Sequence, residues 1–222
     1  MSFLIAVDGG GTSCRALVAD STSRRLGEGR SGSANIATNL HVARDAIIEA
    51  VRIAMQEADL AAVHIGEGVA VLGLAGANIG DNPARIAELL PFRVSHVETD
   101  GLIALQGALG DEDGAVAVVG TGSVFIVRHH GAIHTAGGWG PAVGDFCSGS
   151  RLGKTLLQET LRAYDGLRTA SAATEAVLAG FSGQPGMLVE FAQSAAPRDF
   201  AGFAPHFSAR GERRRRRLSD HP

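Results

Sequence analysis

Two glycine-containing segments that directly follow apolar runs have the composition of phosphate-binding loops. The first is Asp8-Gly9-Gly10-Gly11-Thr12 and the second is Gly120-Thr121-Gly122-Ser123. Glycine lets backbone N–H groups approach phosphate oxygens without a Cβ atom in the way, and the Thr12 hydroxyl adds a donor. Each segment by itself is also typical of a tight hairpin turn. Because two of them open two similar half-chains, we expect both to bind one polyphosphate.

Two carboxylates follow apolar segments and could take part in such chemistry. Asp8 would repel a phosphate, but it could hold Mg²⁺ or the water around that ion beside the phosphates. Asp100 begins a predicted helix and could act as the general base for a hydroxyl nucleophile. From the residue alone, a helix N-cap is the favoured interpretation of Asp100, because Asp is common at that position.

A glycine-rich loop at residues 137–145 contains the single tryptophan of the chain, Trp139, and ends at Asp145. An aromatic face and a carboxylate together could shape a small polar pocket for a sugar. The alternative is a long structural turn that holds an aromatic plug.

Three histidines, His129, His130 and His134, flank a predicted hairpin turn at Gly131. A metal site would need a carboxylate or cysteine partner, and the sequence offers none nearby. Exposed hairpin histidines are therefore the favoured interpretation.

Two other phosphate-binding motifs fail on spacing. A dinucleotide fingerprint starting at Gly9 or Gly120 would need its third glycine where Cys14 or Phe125 stands. A P-loop ending at residues 153–155 would need a glycine at Ser148 and would lie inside a predicted helix.

The hydrophobic periodicity of the first 110 residues predicts three strands, then a helix, strand, helix, strand and helix. Gly-rich turns between the first three strands favour an antiparallel meander, and the continuous apolar run at 3–7 favours a strand buried on both faces. Asn39 is the predicted N-cap of the long helix. The predicted strands are 3–7, 14–20, 25–32, 69–74 and 94–98, and the predicted helices are 40–58, 83–90 and 101–109.

After a polar break at 110–114 the order begins again, which indicates an architectural repeat. The second half does not complete the set, and residues 197–222 show little periodicity and are rich in arginine. We therefore predict a first domain at 1–110, a partial second domain at 111–196 and a non-periodic tail at 197–222. The further predicted strands are 115–119, 124–128 and 132–135, and the further helices are 148–164, 169–179 and 187–195.

The composition excludes several classes of protein. Of 222 residues, 45% are hydrophobic, which excludes a disordered chain, and no apolar stretch is long enough to span a membrane. Two cysteines cannot build a disulfide framework or a four-thiolate metal site. The N-terminus lacks the features of a signal peptide, so a reduced, cytoplasmic, soluble protein is expected. The run Arg213–Arg217 has no aromatic support, so we expect a solvated tail rather than a nucleic-acid partner.

The order and spacing of these motifs over residues 1–165 resemble the N-acetylglucosamine and glucosamine kinases of the BadF-type ATPase family, within the actin-like sugar kinase superfamily. The Ser-Gly-x-Arg-Leu-Gly stretch is most similar to bacterial glucosamine kinases. The residues that carry the resemblance are Asp8–Thr12, Asn35, Leu72–Gly76, Thr99–Asp100, Gly120–Ser123, Gly137–Gly140, Gly144–Asp145 and Ser148–Gly153.

The resemblance implies the α/β actin-like (ribonuclease H-like) ATPase fold, with ATP and a sugar bound between two domains. It implies that Asp100 is the base that deprotonates the sugar hydroxyl and that Asp8 positions Mg²⁺. The implied phosphate contacts are Gly9, Gly10, Gly11, Thr12, Gly120, Thr121, Gly122 and Ser123. The residues expected to contact the sugar are Asn35, Gly138, Trp139 and Asp145.

Three departures from the family pattern matter. Phe146 and Cys147 replace a polar residue and a glycine, which puts sugar affinity or specificity in doubt. Ala75 stands where N-acetylglucosamine kinases often have serine, which weakens the N-acetyl-sugar interpretation. The third departure is the absence of the family's adenosine-binding loop, from which we expect a truncated gene product, non-family sequence after about residue 197 and weakened ATP affinity.

The leading functional expectation is therefore an ATP- and Mg²⁺-dependent kinase acting on the 6-hydroxyl of glucosamine or N-acetylglucosamine. One alternative is a BadF-type activator ATPase, which would need clustered cysteines for an iron–sulfur site. The other is a degenerate nucleotide- or sugar-binding module without activity. No nucleic-acid or membrane partner is expected, and a homodimer is left open.

Overall fold

The computed structural model describes residues 3–207. The chain divides into two compact units. Among the described residues, the first comprises 3–118 and 124–139, and the second comprises 119–123 and 140–207. The division therefore assigns most of the second predicted sheet to the first unit. The grouping of residues 111–196 as a second actin-like domain stays a prediction.

A five-stranded mixed sheet forms the centre of the first unit. Its strands are β1 Leu4–Gly9, β2 Cys14–Ala19, β3 Arg25–Ser31, β4 Val69–Leu74 and β5 Val94–Thr99. They lie in the order β3-β2-β1-β4-β5. The pairs β1–β2 and β2–β3 are antiparallel, as the glycine-rich turns predicted, whereas β1, β4 and β5 are parallel.

Three α-helices and a 3₁₀ helix accompany this sheet. Helix α1 Leu40–Glu57 and the 3₁₀ helix Ala62–Glu67 lie between β3 and β4, α2 Asn82–Leu89 lies between β4 and β5, and α3 Asp100–Leu109 follows β5. The Asn39 side chain accepts hydrogen bonds from the His41 and Val42 amides, which confirms the predicted N-cap of α1. Helix α1 packs so closely on β3 that a Cβ atom added at Gly29 would lie 2.0 Å from the Ala50 carbonyl oxygen.

Strand β1 is buried on one face only, so the prediction of a strand buried on both faces is wrong for this structure. Ile5 and Val7 are buried in the core beneath α1, whereas Leu4, Ala6 and Asp8 on the opposite face are exposed. An apolar run is compatible with burial on both faces, but the packing of other elements decides which face is covered.

A second, three-stranded sheet follows α3. Its strands are β6 Gly114–Val119, β7 Ser123–His129 and β8 Ala132–Gly137, in the order β6-β7-β8. Helix α3 contacts both sheets, because Ile103 fits against Gly73 of β4 and Ile126 of β7 fits against Gly101. The buried Arg128 guanidinium donates hydrogen bonds to the Gly110 carbonyl oxygen and to Gln106 Oε1 at 2.7 Å, which ties β7 to the end of α3.

The second unit is built mainly from helices. They are α4 Gly149–Tyr164, α5 Ala172–Gly180, α6 Pro185–Ser194 and α7 Pro197–Ala201. Their small core consists of Leu156, Leu157, Val177 and Leu188. Ser148 is the N-cap of α4, since its side chain accepts a hydrogen bond from the Arg151 amide.

The prediction of a non-periodic tail from Pro197 onward is wrong at its start, because the structure has helix α7 there. Phe200 and Phe203 pack against the core of the second unit, and the Phe200 carbonyl oxygen lies where a Cβ atom at position 153 would be. A helix of five residues is too short to reveal itself by periodicity. The rest of the predicted tail, including Arg213–Arg217, lies outside the described residues.

Within residues 3–207, no helix is both long enough and apolar enough to cross a lipid bilayer.

Candidate functional site

The first glycine loop lies at the carboxyl end of β1 and meets two other loops there. The Gly10 amide donates to the Ser13 carbonyl oxygen at 2.9 Å, which closes the turn into β2. The Gly9 carbonyl oxygen accepts from the Ala75 amide at 2.8 Å, and that of Gly10 accepts from the Ala34 amide at 3.0 Å. The loops after β1, β3 and β4 are therefore joined through their main chains.

The glycines of this loop have different roles. A Cβ atom at Gly9 would lie 2.6 Å from Leu74 Cδ2 and 2.9 Å from Ala34 Cβ, so Gly9 is required by packing. A Cβ atom at Gly10 would meet nothing nearer than 3.7 Å. The phosphate contacts expected at Gly11 and Thr12, at the tip of this loop, stay a prediction.

Asp8 and Asp100 lie at the same edge of the sheet. Asp8 pairs in register with Gly73 of β4, and Gly73 pairs with Glu98 of β5, two residues before Asp100. Two strand spacings of about 4.8 Å and two residues along β5, which add about 7 Å, separate the backbones of the two aspartates by roughly 12 Å. That distance leaves room for a hydroxyl group and a phosphoryl group between them.

Asp100 is the first residue of α3 and not its N-cap, so the N-cap interpretation is wrong. The cap is Thr99, whose hydroxyl oxygen accepts a hydrogen bond from the Leu102 amide at 3.2 Å. One oxygen of Asp100, Oδ1, accepts from the Gly101 amide at 2.9 Å. A Cβ atom at Gly101 would lie 2.4 Å from Ile126 Cδ1, so tight packing fixes the residue that follows Asp100.

Asn35, a predicted sugar contact, shapes the loop after β3. Its Oδ1 accepts hydrogen bonds from the Ala37 amide at 2.9 Å and from the Thr38 amide at 3.2 Å. Gly76, at a φ of 87°, packs beside this side chain, because an added Cβ would lie 3.0 Å from Asn35 Oδ1. The Nδ2 group of Asn35 is therefore the atom that could donate to a sugar.

Asn78 is a site residue that the sequence reasoning missed. Its Nδ2 donates to the Gly138 carbonyl oxygen at 2.7 Å, which ties the loop after β4 to the loop that carries Trp139. The Trp139 side chain is 65% exposed, so its ring is accessible to a ligand. No motif marks Asn78, because its partner lies 60 residues away in the chain.

The second glycine loop is fastened to the start of α4 in the second unit. The Gly149 amide donates to the Gly120 carbonyl oxygen at 2.7 Å, and the Ser150 amide donates to that of Thr121 at 3.2 Å. The first amides of α4 are thus used inside the protein rather than for anion binding. The buried Ser123 hydroxyl donates to the Phe146 carbonyl oxygen at 2.7 Å, so this predicted phosphate contact has a role in holding the loop.

Asp145, another predicted sugar contact, is buried against the second loop. Its Oδ1 accepts a hydrogen bond from the Gly140 amide at 3.1 Å, and its carboxylate also accepts from the Ser123 amide. Burial raises the pKa of this carboxyl above its ordinary value, although both amides act in the opposite direction. The carboxylate therefore joins two loops, and the sugar contact that the resemblance implied for Asp145 stays a prediction.

The two cysteines are in different environments. Cys14 is buried at the start of β2, and burial raises the pKa of its thiol to about 12. Cys147 is exposed, and its neighbour Phe146 is also exposed, with the Arg151 guanidinium 5.9 Å from the centre of its ring. A buried thiol with so high a pKa stays protonated near neutral pH, and it is therefore unsuited to bind an iron–sulfur cluster.

Within the first unit, the structure brings several predicted residues to the loops at one end of the parallel strands; they are Asp8, Gly9, Gly10, Gly11, Thr12, Asn35, Asp100, Gly138 and Trp139. Within the second unit, Asp145 lies against the loop formed by Gly120, Thr121, Gly122 and Ser123.

Comparison with known proteins gives one family match, to the BadF/BadG/BcrA/BcrD ATPase family, over residues 5–211. The match extends beyond residue 197, so the expectation of non-family sequence after about residue 197 is wrong for residues 198–211.

The proteins similar to this chain include two curated kinases and one solved structure. The glucosamine kinase GspK of Vibrio cholerae is 33% identical over 211 residues, covering 92% of this chain and 70% of that protein. The N-acetyl-D-glucosamine kinase of Dictyostelium discoideum is 27% identical over 187 residues, covering 78% of this chain and 59% of that protein.

The solved structure comes from Chromobacterium violaceum and is described as a candidate N-acetylglucosamine kinase. It has a TM-score of 0.85 and 32% identity, and the match covers 94% of this chain and 74% of that one. Together with the family match, this similarity confirms the predicted actin-like α/β ATPase fold.

Proposed function

Since the chain belongs to the BadF/BadG/BcrA/BcrD ATPase family, we propose that it is an ATP-dependent amino-sugar kinase. The proposed reaction moves the γ-phosphoryl group of ATP to the 6-hydroxyl of glucosamine, with N-acetylglucosamine as the second candidate. The similarity to the Vibrio cholerae glucosamine kinase supports this choice, and Ala75 further favours glucosamine.

The observation that carries the proposal is the position of Asp100. Asp100 begins the helix that directly follows β5, and it lies at the sheet edge that also carries Asp8. We propose that this carboxylate accepts the proton of the sugar hydroxyl while the hydroxyl oxygen attacks the γ-phosphorus. The bond between that phosphorus and the bridging oxygen breaks, and ADP leaves with the electron pair.

The carboxylate of Asp8 is the kind of ligand that Mg²⁺ prefers. This ion is usually held by one or two carboxylates together with phosphate oxygens and water, and Asp8 offers an exposed carboxylate at the end of β1. When bound, Mg²⁺ would neutralise charge on the phosphates. Asp8 would keep the ion beside the first glycine loop.

In the first unit, main-chain and hydroxyl donors at Gly11 and Thr12 would contact phosphate. In the second unit, Thr121 and Gly122 would do so by the same kind of donor. Asp145 would keep the second loop in shape, and the exposed ring of Trp139 would cover one face of the sugar. We expect the reaction to take place in the cytoplasm, and we propose no partner beyond the two substrates.

The test is an ADP-release assay with glucosamine, N-acetylglucosamine, glucose and no sugar. We expect sugar-dependent turnover, with glucosamine the best substrate. Asp100→Asn should lower kcat by a factor of about 10² to 10⁴ while sugar binding, measured by calorimetry, is retained. Retained turnover in this variant would remove Asp100 from the mechanism.

Asp81→Asn is the matched control, because Asp81 also lies at the start of a helix and its side chain makes no capping hydrogen bond. This variant should keep the turnover of the unmodified chain. Sugar-independent ATP hydrolysis would instead support an activator ATPase, and no turnover with any sugar would support a degenerate binding module.

A further inference from the structure

We propose that Asp113, His129 and His130 form a binding site for a late first-row divalent metal ion such as Zn²⁺. Each of these residues offers one ligand atom, and the three atoms lie within 4.8 Å of one another. All three side chains are exposed, so an ion could reach them from solvent. The site is separate from the proposed sugar and nucleotide contacts.

The hairpin between β7 and β8 brings the two histidines to one place. His129 pairs in register with Ala132, which leaves His130 and Gly131 as a two-residue turn. Both turn residues have a positive φ, of 48° and 76°, as a type I′ turn requires. The turn places the His129 and His130 rings 4.1 Å apart, measured between their centres.

Asp113 supplies the carboxylate that is absent from the segment around the histidines. It directly precedes β6, and its Oδ2 accepts a hydrogen bond from the His130 amide at 2.8 Å. This bond holds the carboxylate at the turn before any ion binds. The pairing of distant strands creates the group, since Asp113 and His130 are 17 residues apart in the sequence.

The distances between the histidine nitrogens and the Asp113 carboxylate are those of ligands around a shared ion rather than those of hydrogen-bonded pairs. His129 Nδ1 lies 3.6 Å and His130 Nδ1 lies 3.8 Å from Asp113 Oδ2, which is too long for a direct hydrogen bond. Ligand atoms bound to Zn²⁺ at their usual distances are about 3.4 Å apart in a tetrahedral site. A small movement of the exposed side chains would therefore complete the coordination.

The chemistry of the donors selects the class of ion. Two imidazoles and one carboxylate suit Zn²⁺, Ni²⁺ or Cu²⁺, whereas Mg²⁺ and Ca²⁺ prefer oxygen donors alone. Three protein ligands leave at least one coordination position for water. His134 is not part of the group, although it belongs to the same hairpin, because it pairs with Val127 further along the strands.

The experiment is calorimetric titration of the full chain with Zn²⁺ alone, in a buffer that does not chelate the ion. The unmodified chain should bind one equivalent of Zn²⁺. His129→Ala and Asp113→Asn should each bind Zn²⁺ about tenfold more weakly or not at all, because each variant lacks one ligand. Asp113→Asn keeps an oxygen that can accept from the His130 amide, so the turn is expected to survive. His134→Ala is the matched control and should bind Zn²⁺ as the unmodified chain does.

The histidine ring signals in an NMR spectrum give a second measurement that needs no variant to fold. Addition of Zn²⁺ should move the signals of His129 and His130 and leave that of His134 in place. Unchanged Zn²⁺ binding in His129→Ala, or equal shifts at all histidines, would overturn the proposal. Neither measurement depends on kinase activity, so its result tests the metal site separately from the proposed function.

Discussion

At the scale of the single residue, Cys147 shows how one side chain can strain a loop. Its φ of 65° lies in the left-handed region, where a residue with a Cβ atom costs about 1–2 kcal/mol. Glycine adopts this conformation without that cost. We therefore expect Cys147→Gly to raise the free energy of unfolding by about 1 kcal/mol, measured by urea denaturation.

The control for this prediction is Cys147→Ala, which removes the thiol and keeps the Cβ atom. It should leave the free energy of unfolding nearly unchanged, because the backbone strain persists. If alanine stabilises the protein as much as glycine does, the thiol rather than the backbone is the source of the strain.

At the scale of the element, the contact between α1 and β3 depends on glycine. A Cβ atom at Gly29 would lie 2.0 Å from the Ala50 carbonyl oxygen and 2.7 Å from the Ala54 nitrogen. Backbone atoms of a helix cannot move aside singly, so Gly29→Ala must shift α1 from the sheet. We expect a loss of about 3 kcal/mol in the free energy of unfolding, measured by urea denaturation.

Gly32→Ala provides the comparison, since an added Cβ there would have no atom within 4 Å and φ is not positive. Its effect should stay within about 1 kcal/mol in either direction. Equal losses in the two variants would show that glycine acts through chain flexibility and not through the approach of α1.

At the scale of the whole molecule, each unit has a hydrophobic core of its own. Leu72 is fully buried in the core of the first unit, and Leu188 is 1% exposed in the core of the second. We expect urea unfolding to show two transitions, because separate cores need not unfold together. Leu188→Ala should lower one transition and Leu72→Ala the other, each by about 2–5 kcal/mol.

The two variants are controls for each other, since the chemical change is the same in both. Circular dichroism and the fluorescence of Trp139, which belongs to the first unit, would follow the transitions. A single transition that both substitutions shift equally would contradict the prediction.

The sequence by itself determined the order and type of most elements and the family. Periodicity and capping are local properties, so β4 and the cap of α1 lie where they were predicted. The glycine loops at strand ends predicted phosphate binding, and that role stays a prediction. The sequence left two roles open for Asp100, helix N-cap and general base, and the structure excludes the first because Thr99 caps α3.

Tertiary structure decided what depends on residues far apart in the chain. It left one face of β1 exposed, turned the Asp145 carboxylate toward backbone amides and tied Asn78 to Gly138. It also brought Asp113 to His129 and His130. The physical reason is that burial and hydrogen-bond partners are set by packing between distant segments, which leaves no periodic signal in the sequence.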